Sequence, residues 1–412
     1  MNAIKNCLLI CASGLVFIGL WLALIAPRAI PNYQLPNVTT NPATNPGPAV
    51  FAEYWISQNE TQQAHSANIA IASGIPVTLW YGGTEEGHAD VALFMATFDN
   101  GWTTPVVIAD RASLEAGLNR YIRKIGNPSI HAWPDGGLGV FFVSVSVGGW
   151  AASSINYMET PDLGTSWSQP RRLVTSPFLN VSTLVRAPGL QLEGGTLQLP
   201  VYHEFLGKFS EVLHLSRSQA VLNKTRISRG TDSLQPAIAS MNPTDALAML
   251  RYAGDPPGRV LTSETKDAGL HWTQPTKTDL PNPGSAVALL NLGDGKLLLA
   301  LNDTEDGRHK LSLALRHGST WQTLKVIEEE IDDSKSHEFK SHEFEFSYPS
   351  LALDPEGFIH LVYTWNQRRI KHIRFNYSWL IEDEPGPDGL KTANMRIMRS
   401  SKDAFEADNK LI

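Results

Sequence analysis

From about residue 49 to 377 the chain alternates short apolar runs with turn residues, and no segment sustains a helical period. Ile75-Pro-Val-Thr-Leu-Trp-Tyr, Leu138-Gly-Val-Phe-Phe-Val, Leu197-Gln-Leu-Pro-Val-Tyr, Leu297-Leu-Leu-Ala-Leu and Phe358-Ile-His-Leu-Val-Tyr are such runs. Their length and the Gly, Pro, Asn and Asp between them predict many short strands joined by tight turns, an all-β body. Two flanks break the pattern. Leu8 to Ala26 is an unbroken apolar stretch of 19 residues whose one polar side chain is Ser13, preceded by Lys5 and followed by Pro27-Arg28. It is long enough to span a bilayer as a helix. Beyond Tyr377 the text turns polar, through Glu382-Asp-Glu-Pro-Gly-Pro-Asp-Gly, to Ile412.

Repeats set the architecture of the body. Thr160-Pro-Asp162-Leu-Gly164-Thr-Ser-Trp167 and Thr265-Lys-Asp267-Ala-Gly269-Leu-His-Trp272 follow one pattern, Ser/Thr-x-Asp-x-Gly-x-x-Trp, and both continue into Ser/Thr-Gln-Pro. In such a turn Asp caps its own backbone, Gly takes a positive φ and Trp packs between neighbouring sheets. Degenerate copies stand at Asp99-Asn-Gly101-Trp102 and at Gly318-Ser-Thr-Trp321, where Arg316 replaces Asp. The tryptophans are spaced 65, 105 and 49 residues apart. Reading the long interval as two units of about 52 residues implies five repeats, and a sixth fits between Trp321 and Tyr377, within the known range for propeller blades. The expected domains are a hydrophobic anchor or signal over 1–30, a Pro/Asn/Thr-rich linker over 31–48, a six-bladed β-propeller over 49–378 and a polar tail over 379–412.

Composition narrows the chemistry. A net charge of −7 without a Lys/Arg block excludes a nucleic-acid footprint. The only cysteines, Cys7 and Cys11, lie in the apolar stretch, so the body has no disulfide, Cys-zinc site or cysteine nucleophile. The stretch lacks a good cleavage site, since Leu24 and Pro27 flank the best position, which favours an uncleaved membrane anchor with the body outside the cytoplasm over secretion after signal cleavage. The Ser-His-Glu-Phe copies at 336–339 and 341–344 place His337 and His342 five apart, which is not the helical zinc spacing, and they read as an acidic loop insertion. No metal or cofactor is expected.

The Asp boxes, together with His65-Ser-Ala-Asn, Leu79-Trp-Tyr-Gly-Gly-Thr-Glu85-Glu86-Gly87-His-Ala-Asp90, Asn127-Pro-Ser and Tyr348-Pro-Ser-Leu, resemble the divergent bacterial branch of the sialidase (neuraminidase)-like family with BNR/Asp-box repeats. The resemblance implies a propeller of the sialidase type and a carbohydrate ligand in its central funnel. It implies that Tyr348 stands at the nucleophile position and that Arg251 and Arg308 stand for two carboxylate-binding arginines, a guanidinium fork being matched to a carboxylate. Glu85, Glu86 and Asp90 lie in the loop that supplies the acid. Two positions depart. His65-Ser66 stands where an arginine is expected, and Gln235 stands where the resemblance places a glutamate. Glutamine cannot take a tyrosine's proton.

The remaining residues leave alternatives open. Glu86 and Asp90 read either as paired catalytic carboxylates or as solvated turn residues, and His65 as a general base or a structural histidine. His203 and Glu204 end a strand and face either the funnel or solvent. The function expected is an exo-acting glycoside hydrolase for an acidic sugar of extracellular glycans. The rivals are a non-catalytic glycan-binding or scaffolding propeller and a polysaccharide lyase using His65 and Tyr348.

Overall fold

The structure, a computed structural model, describes residues 11–16, 18, 33–36, 47–176, 180–230, 232–330 and 344–382. The chain divides into two units, Met1–Tyr33 and Gln34–Ile412. In the first, residues 11–16 and 18 are helical, and the rest of the apolar stretch lies outside the described residues, as do the Ser-His-Glu-Phe copies up to residue 343 and the tail from 383. Among the described residues no helix is long and apolar enough to cross a membrane.

The second unit is a six-bladed propeller. Its first strand, β1 (Phe51–Trp55), belongs to the last blade. Blade 1 holds β2 (Gln63–Ala72), β3 (Ile75–Gly83), β4 (Ala92–Thr97) and β5 (Val106–Ala109); blade 2 holds β6 (Lys124–Ala132), β7 (Leu138–Val145), β8 (Ser153–Thr160) and β9 (Arg171–Arg172). Blade 3 has β10 (Leu184–Val185), β12 (Leu197–His203), β13 (Phe209–Leu215) and β14 (Val221–Arg226), with β11 (Leu190–Gln191) also on β12. Blade 4 is β15 (Ser233–Ser240), β16 (Ala246–Tyr252), β17 (Arg259–Thr265) and β18 (Thr276–Pro281), and blade 5 is β19 (Ala288–Gly293), β20 (Lys296–Leu301), β21 (Lys310–His317) and β22 (Thr320–Glu329). Blade 6 comprises β23 (Phe346–Leu353), β24 (Ile359–Trp365), β25 (Arg369–Phe375) and β1, so the ring is closed by pairing Phe51 with Phe375 and Trp55 with Lys371. A short helix, α2 (Tyr377–Ile381), follows at once and stacks Trp379 on Phe51 at 4.6 Å, the other described body helix being α1 (Arg111–Leu118).

Middle strands read as continuous apolar runs because both of their faces pack on neighbouring blades. Every residue of β7 is buried, whereas the outer β22 is mostly exposed or half-buried. The core is accordingly a ring of inter-blade seams. Val77 and Leu79 meet Val140 and Phe142, Phe141 and Val143 meet Leu199 and Val201, and Trp80 and Phe94 meet Val362 and Ile370.

The Asp-box turns join third to fourth strands and fasten each blade to the one before it. Asp162 accepts from Thr160 Oγ1 (2.7 Å), Ser166 N (2.8 Å) and Ser166 Oγ (2.6 Å); Asp267 accepts from Thr265 Oγ1 (2.9 Å) and His271 N (2.8 Å) in the same geometry. Gly164 takes φ +97°, which favours glycine, and the end of the Met95 side chain of blade 1 packs against its bare Cα. Ala268 O likewise accepts from Gln198 of blade 3 (2.6 Å). The degenerate turns do the same with other chemistry. Trp102 Nε1 donates to His372 of blade 6 (3.1 Å), Arg316 reaches Glu264 of blade 4 (3.3 Å), and Arg217 in the blade 3 turn pairs with Glu159 of blade 2 (2.7 Å).

Candidate functional site

Antiparallel order puts the second-to-third-strand loops and the starts of the inner strands at one end of the ring, and the Asp boxes at the other. At the first end the inner strands share a local break. Ser66, Asn127, Gln235 and Tyr348 have φ of 58°, 46°, 48° and 52°, each at a shift of register. Ser182 (62°) and Gly284 (73°) take the same conformation just before β10 and β19. Left-handed backbone at a non-glycine residue costs roughly 1–3 kcal/mol and persists where surrounding structure enforces it, often at functional sites. Such a bulge re-aims the side chains next to it, and in these four blades it falls at the same place on the inner strand.

Tyr348 stands among charges. Its ring lies 5.2 Å from the Arg186 guanidinium and 5.5 Å from that of Arg308, and the His65 ring meets it edge-on at 4.5 Å. Arg186 is 3 % exposed, donates through Nη2 to Pro349 O (3.0 Å) and leaves Nε without a partner. Burial lowers it to about 10, so it remains a cation at neutral pH. Among the described residues it has no carboxylate partner. Arg308 does have one, Glu345, at 2.8 Å. Burial opposes ionisation of Glu345, but the neighbouring His65 and Arg308 and hydrogen bonds from Ser347 and Gln367 outweigh it and hold the carboxyl down to about 2. His65 is pushed below its ordinary value by burial, against the pull of Glu345 and Glu86, and is therefore neutral at pH 7 with Nδ1 unpartnered. An open cleft of about 830 Å³ between residues 59–63 and the β24–β25 turn leads to Glu345.

On the β3–β4 loop, Glu86 accepts from Tyr81 Oη (3.1 Å) and Trp150 Nε1 (3.0 Å). Tyr81 in turn packs against His65 at 5.7 Å, which links Glu86 to the Tyr348 cluster. Asp90, four residues on, is not brought in. It accepts from Thr84 and His88 within its own loop, and hydrogen bonds from Thr84 hold it down to about 2, the turn-residue reading of that carboxylate.

Gln235 does not reach Tyr348 among the described contacts. Its Oε1 accepts from Arg251 Nη1 (3.2 Å) and its Nε2 donates to Tyr202 Oη (3.3 Å), which also accepts from Asn127 Nδ2 (3.1 Å). Glu204 lies within electrostatic range of both Tyr202 and Arg251, and burial raises its carboxyl against the pull of Arg251 and Lys208. His203, the residue before, turns away. It pairs with Glu211 at 2.7 Å, and Lys224 and Arg226 complete that cluster on the outer strands.

The structure thus gathers Tyr348, His65, Arg308 and Glu86 into one network and Arg251, Gln235 and Glu204 into a second around Tyr202, the two linked by the electrostatic coupling of Tyr202 with Tyr348, and leaves Asp90 and His203 in their own local networks. Sequence reasoning missed Arg186, Glu345, Tyr202 and Tyr81. The available signal was the bulge itself. Asn127-Pro, Gln235-Pro and Tyr348-Pro recur in alternate blades, and Glu345 stands three residues before the last of them.

Six blades, five of four strands and one of five, closed by the first strand and carrying tyrosine and arginine side chains at the end away from the Asp boxes, define a sialidase-type β-propeller. The same fold is seen in the Hadza microbial sialidase Hz136 (16 % identity, TM-score 0.62, covering 78 % of this chain and 67 % of that one). It is seen in the NanB sialidase of Streptococcus pneumoniae (12 %, 0.59, 81 % and 71 %) and in the intramolecular trans-sialidase of Ruminococcus gnavus (12 %, 0.60, 79 % and 97 %). At these identities the likeness shows the fold. No curated protein matches the chain in sequence. Residues 77–361 match the BNR repeat-like domain, and the chain belongs to that family.

Proposed function

We propose that this propeller is an exo-acting glycoside hydrolase for an acidic sugar of extracellular glycans, with Tyr348 as the reacting group. The observation that carries the reading is the placement of Tyr348, on a left-handed bulge with two guanidiniums and a neutral histidine around its ring. A neutral phenol approaches an anionic sugar without charge repulsion, and the arginines offset the charge of the sugar carboxylate. Arg251, free of a carboxylate partner among the described residues, supports carboxylate binding more directly than Arg308, which Glu345 already neutralises. With Gln235 unable to accept a proton, His65 is the base within reach of Tyr348, and Glu345 is positioned to stabilise the imidazolium that forms. Glu86, on the rim, supplies the proton to the leaving oxygen. The apolar N-terminal segment supports a body held at a membrane outside the cytoplasm.

A screen of the protein lacking residues 1–30 against sialosides, uronides and rhamnosides tests the reading. Turnover lost in Tyr348→Phe and in Glu86→Gln is expected; full turnover in either variant, or none in the parent, rejects this mechanism. The engagement of Gln235 with Tyr202 rather than Tyr348 favours a second reading, a non-catalytic glycan-binding propeller, which binding without turnover would support. Unsaturated products absorbing in the ultraviolet would instead identify elimination by His65 and Tyr348.

A further inference from the structure

Tyr202 is a buried hydroxyl within electrostatic range of Arg251 and Tyr348. Its side chain comes from β12, is 2 % exposed, and its oxygen accepts two hydrogen bonds, from Asn127 Nδ2 (3.1 Å) and Gln235 Nε2 (3.3 Å). The direction of the second bond is not free. A guanidinium only donates, so the contact of Arg251 Nη1 with Gln235 (3.2 Å) assigns Oε1 as the acceptor and leaves the amide nitrogen facing Tyr202. With the amide nitrogens of Asn127 and Gln235 both turned to the phenol oxygen, its own hydrogen points elsewhere. Among the described residues nothing accepts it. Glu204, whose charge acts on Tyr202, makes no hydrogen bond to it. A buried hydroxyl hydrogen without an acceptor is costly, and such groups in folded proteins almost always find one. Burial also keeps the phenol protonated by raising its ionisation, so it is a standing donor rather than a base.

We propose that Tyr202 is a specificity-determining residue of this site: its phenolic hydrogen is donated to an acceptor oxygen of the bound sugar beside the Arg251 guanidinium, and Asn127 and Gln235 are the positioning residues that set its direction. The inference rests on reading the opening as an acidic-sugar site. It gives Gln235 a purpose that a glutamate could not serve. A carboxylate at 235 would accept the Tyr202 hydrogen and turn it away from the ligand, and it would neutralise Arg251. The pair Arg251 and Tyr202 offers donors only, so it selects an acceptor-only group such as a carboxylate over a hydroxymethyl or an amine.

The test is calorimetric titration of the full chain with the methyl glycosides of N-acetylneuraminic acid and glucuronic acid, each beside its carboxyl-reduced counterpart. Tyr202→Phe is expected to weaken binding of the acidic probe by about ten-fold or more, as for loss of a hydrogen bond to a charged group, and to shrink its advantage over the reduced probe. Gln235→Glu, nearly isosteric and chosen to retain the fold, is expected to weaken the same binding without raising turnover. Undiminished binding in Tyr202→Phe, or a gain of turnover in Gln235→Glu, overturns the role of Tyr202 while leaving the acidic-sugar reading in place. Failure of the parent protein to bind either acidic probe overturns both.

Discussion

The two ends of the propeller use the same device, a residue at positive φ, for opposite purposes. At the Asp-box end Leu163 and Ala268 share φ of 53°, and Asp162 and Asp267 bind their own turns almost identically. At the other end the backbone repeats, with φ between 46° and 62° at Ser66, Asn127, Ser182, Gln235 and Tyr348, but the side chains do not: two are serines and the others asparagine, glutamine and tyrosine. Repetition of both backbone and side chain marks a joint between blades. Repetition of backbone alone marks a frame on which the side chain is left free to vary from blade to blade.

That contrast is open to disproof by substitution at each end. The largest effect is expected from Tyr348→Phe, which should reduce turnover of a responsive glycoside to background while leaving the unfolding temperature close to that of the parent, as followed by scanning calorimetry. Glu86→Gln should follow, lowering kcat by about 10²–10⁴-fold, the usual range for loss of a general acid, with a loss that shrinks for substrates carrying an activated leaving group. At the far end, Asp267→Ala should leave kcat and KM unchanged and cost about 1 kcal/mol of stability by freeing the His271 and Thr265 donors, measured by denaturant titration. Activity loss there, or a large stability loss at Tyr348, would dissolve the distinction.

Acid should separate the ends as well. Burial holds His131 and His214 at about 4, below the 6.5 of an exposed histidine, so the unfolded chain binds more protons between those values. Their contribution to stability is complete above about pH 6.5 and is lost as pH falls toward 4. Glu345 and Glu211 are held at about 2 despite burial, by His65 and Arg308 and by His203 and Lys224 respectively, so what they contribute is present above about 4.5 and lost as pH falls toward 2. The unfolding temperature is expected to decline in two successive stages on acidification. His214→Asn should flatten the first stage slightly, the smallest of these effects.

Much of the blade arithmetic was readable from Trp167, Trp272 and their degenerate partners, because a turn that must cap, twist and pack needs Asp, Gly and Trp at set intervals. The blade 3 turn escaped that reading since Arg217 does the fastening with an ion pair and a face-on contact with Trp133 at 4.3 Å, leaving no box to recognise. Tyr348 and Arg308 were singled out by the family resemblance, and the structure places them 5.5 Å apart, guanidinium to ring. Arg186 was not, because within Leu184-Val-Arg-Ala-Pro it looks like any strand cation, and only the closed ring shows its buried side chain reaching from blade 3 to Tyr348 and Pro349 of blade 6. Glu86 and Asp90 are indistinguishable as text. The structure separates them by what reaches each, Tyr81 and Trp150 for the first and Thr84 and His88 for the second.

Local chemistry in the sequence was sufficient to determine the short strands, the Asp-box turns, the six repeats and the absence of thiol chemistry from the body, since these depend on residues adjacent along the chain. Which hydrogen-bond partner Gln235 takes, which arginine is left without a carboxylate, and which of two neighbouring acids faces the opening depend on side chains contributed by different blades. Closure of the ring by β1 on β25 brings those blades to a common axis, and only in that arrangement do the burial and charge of each group acquire a value.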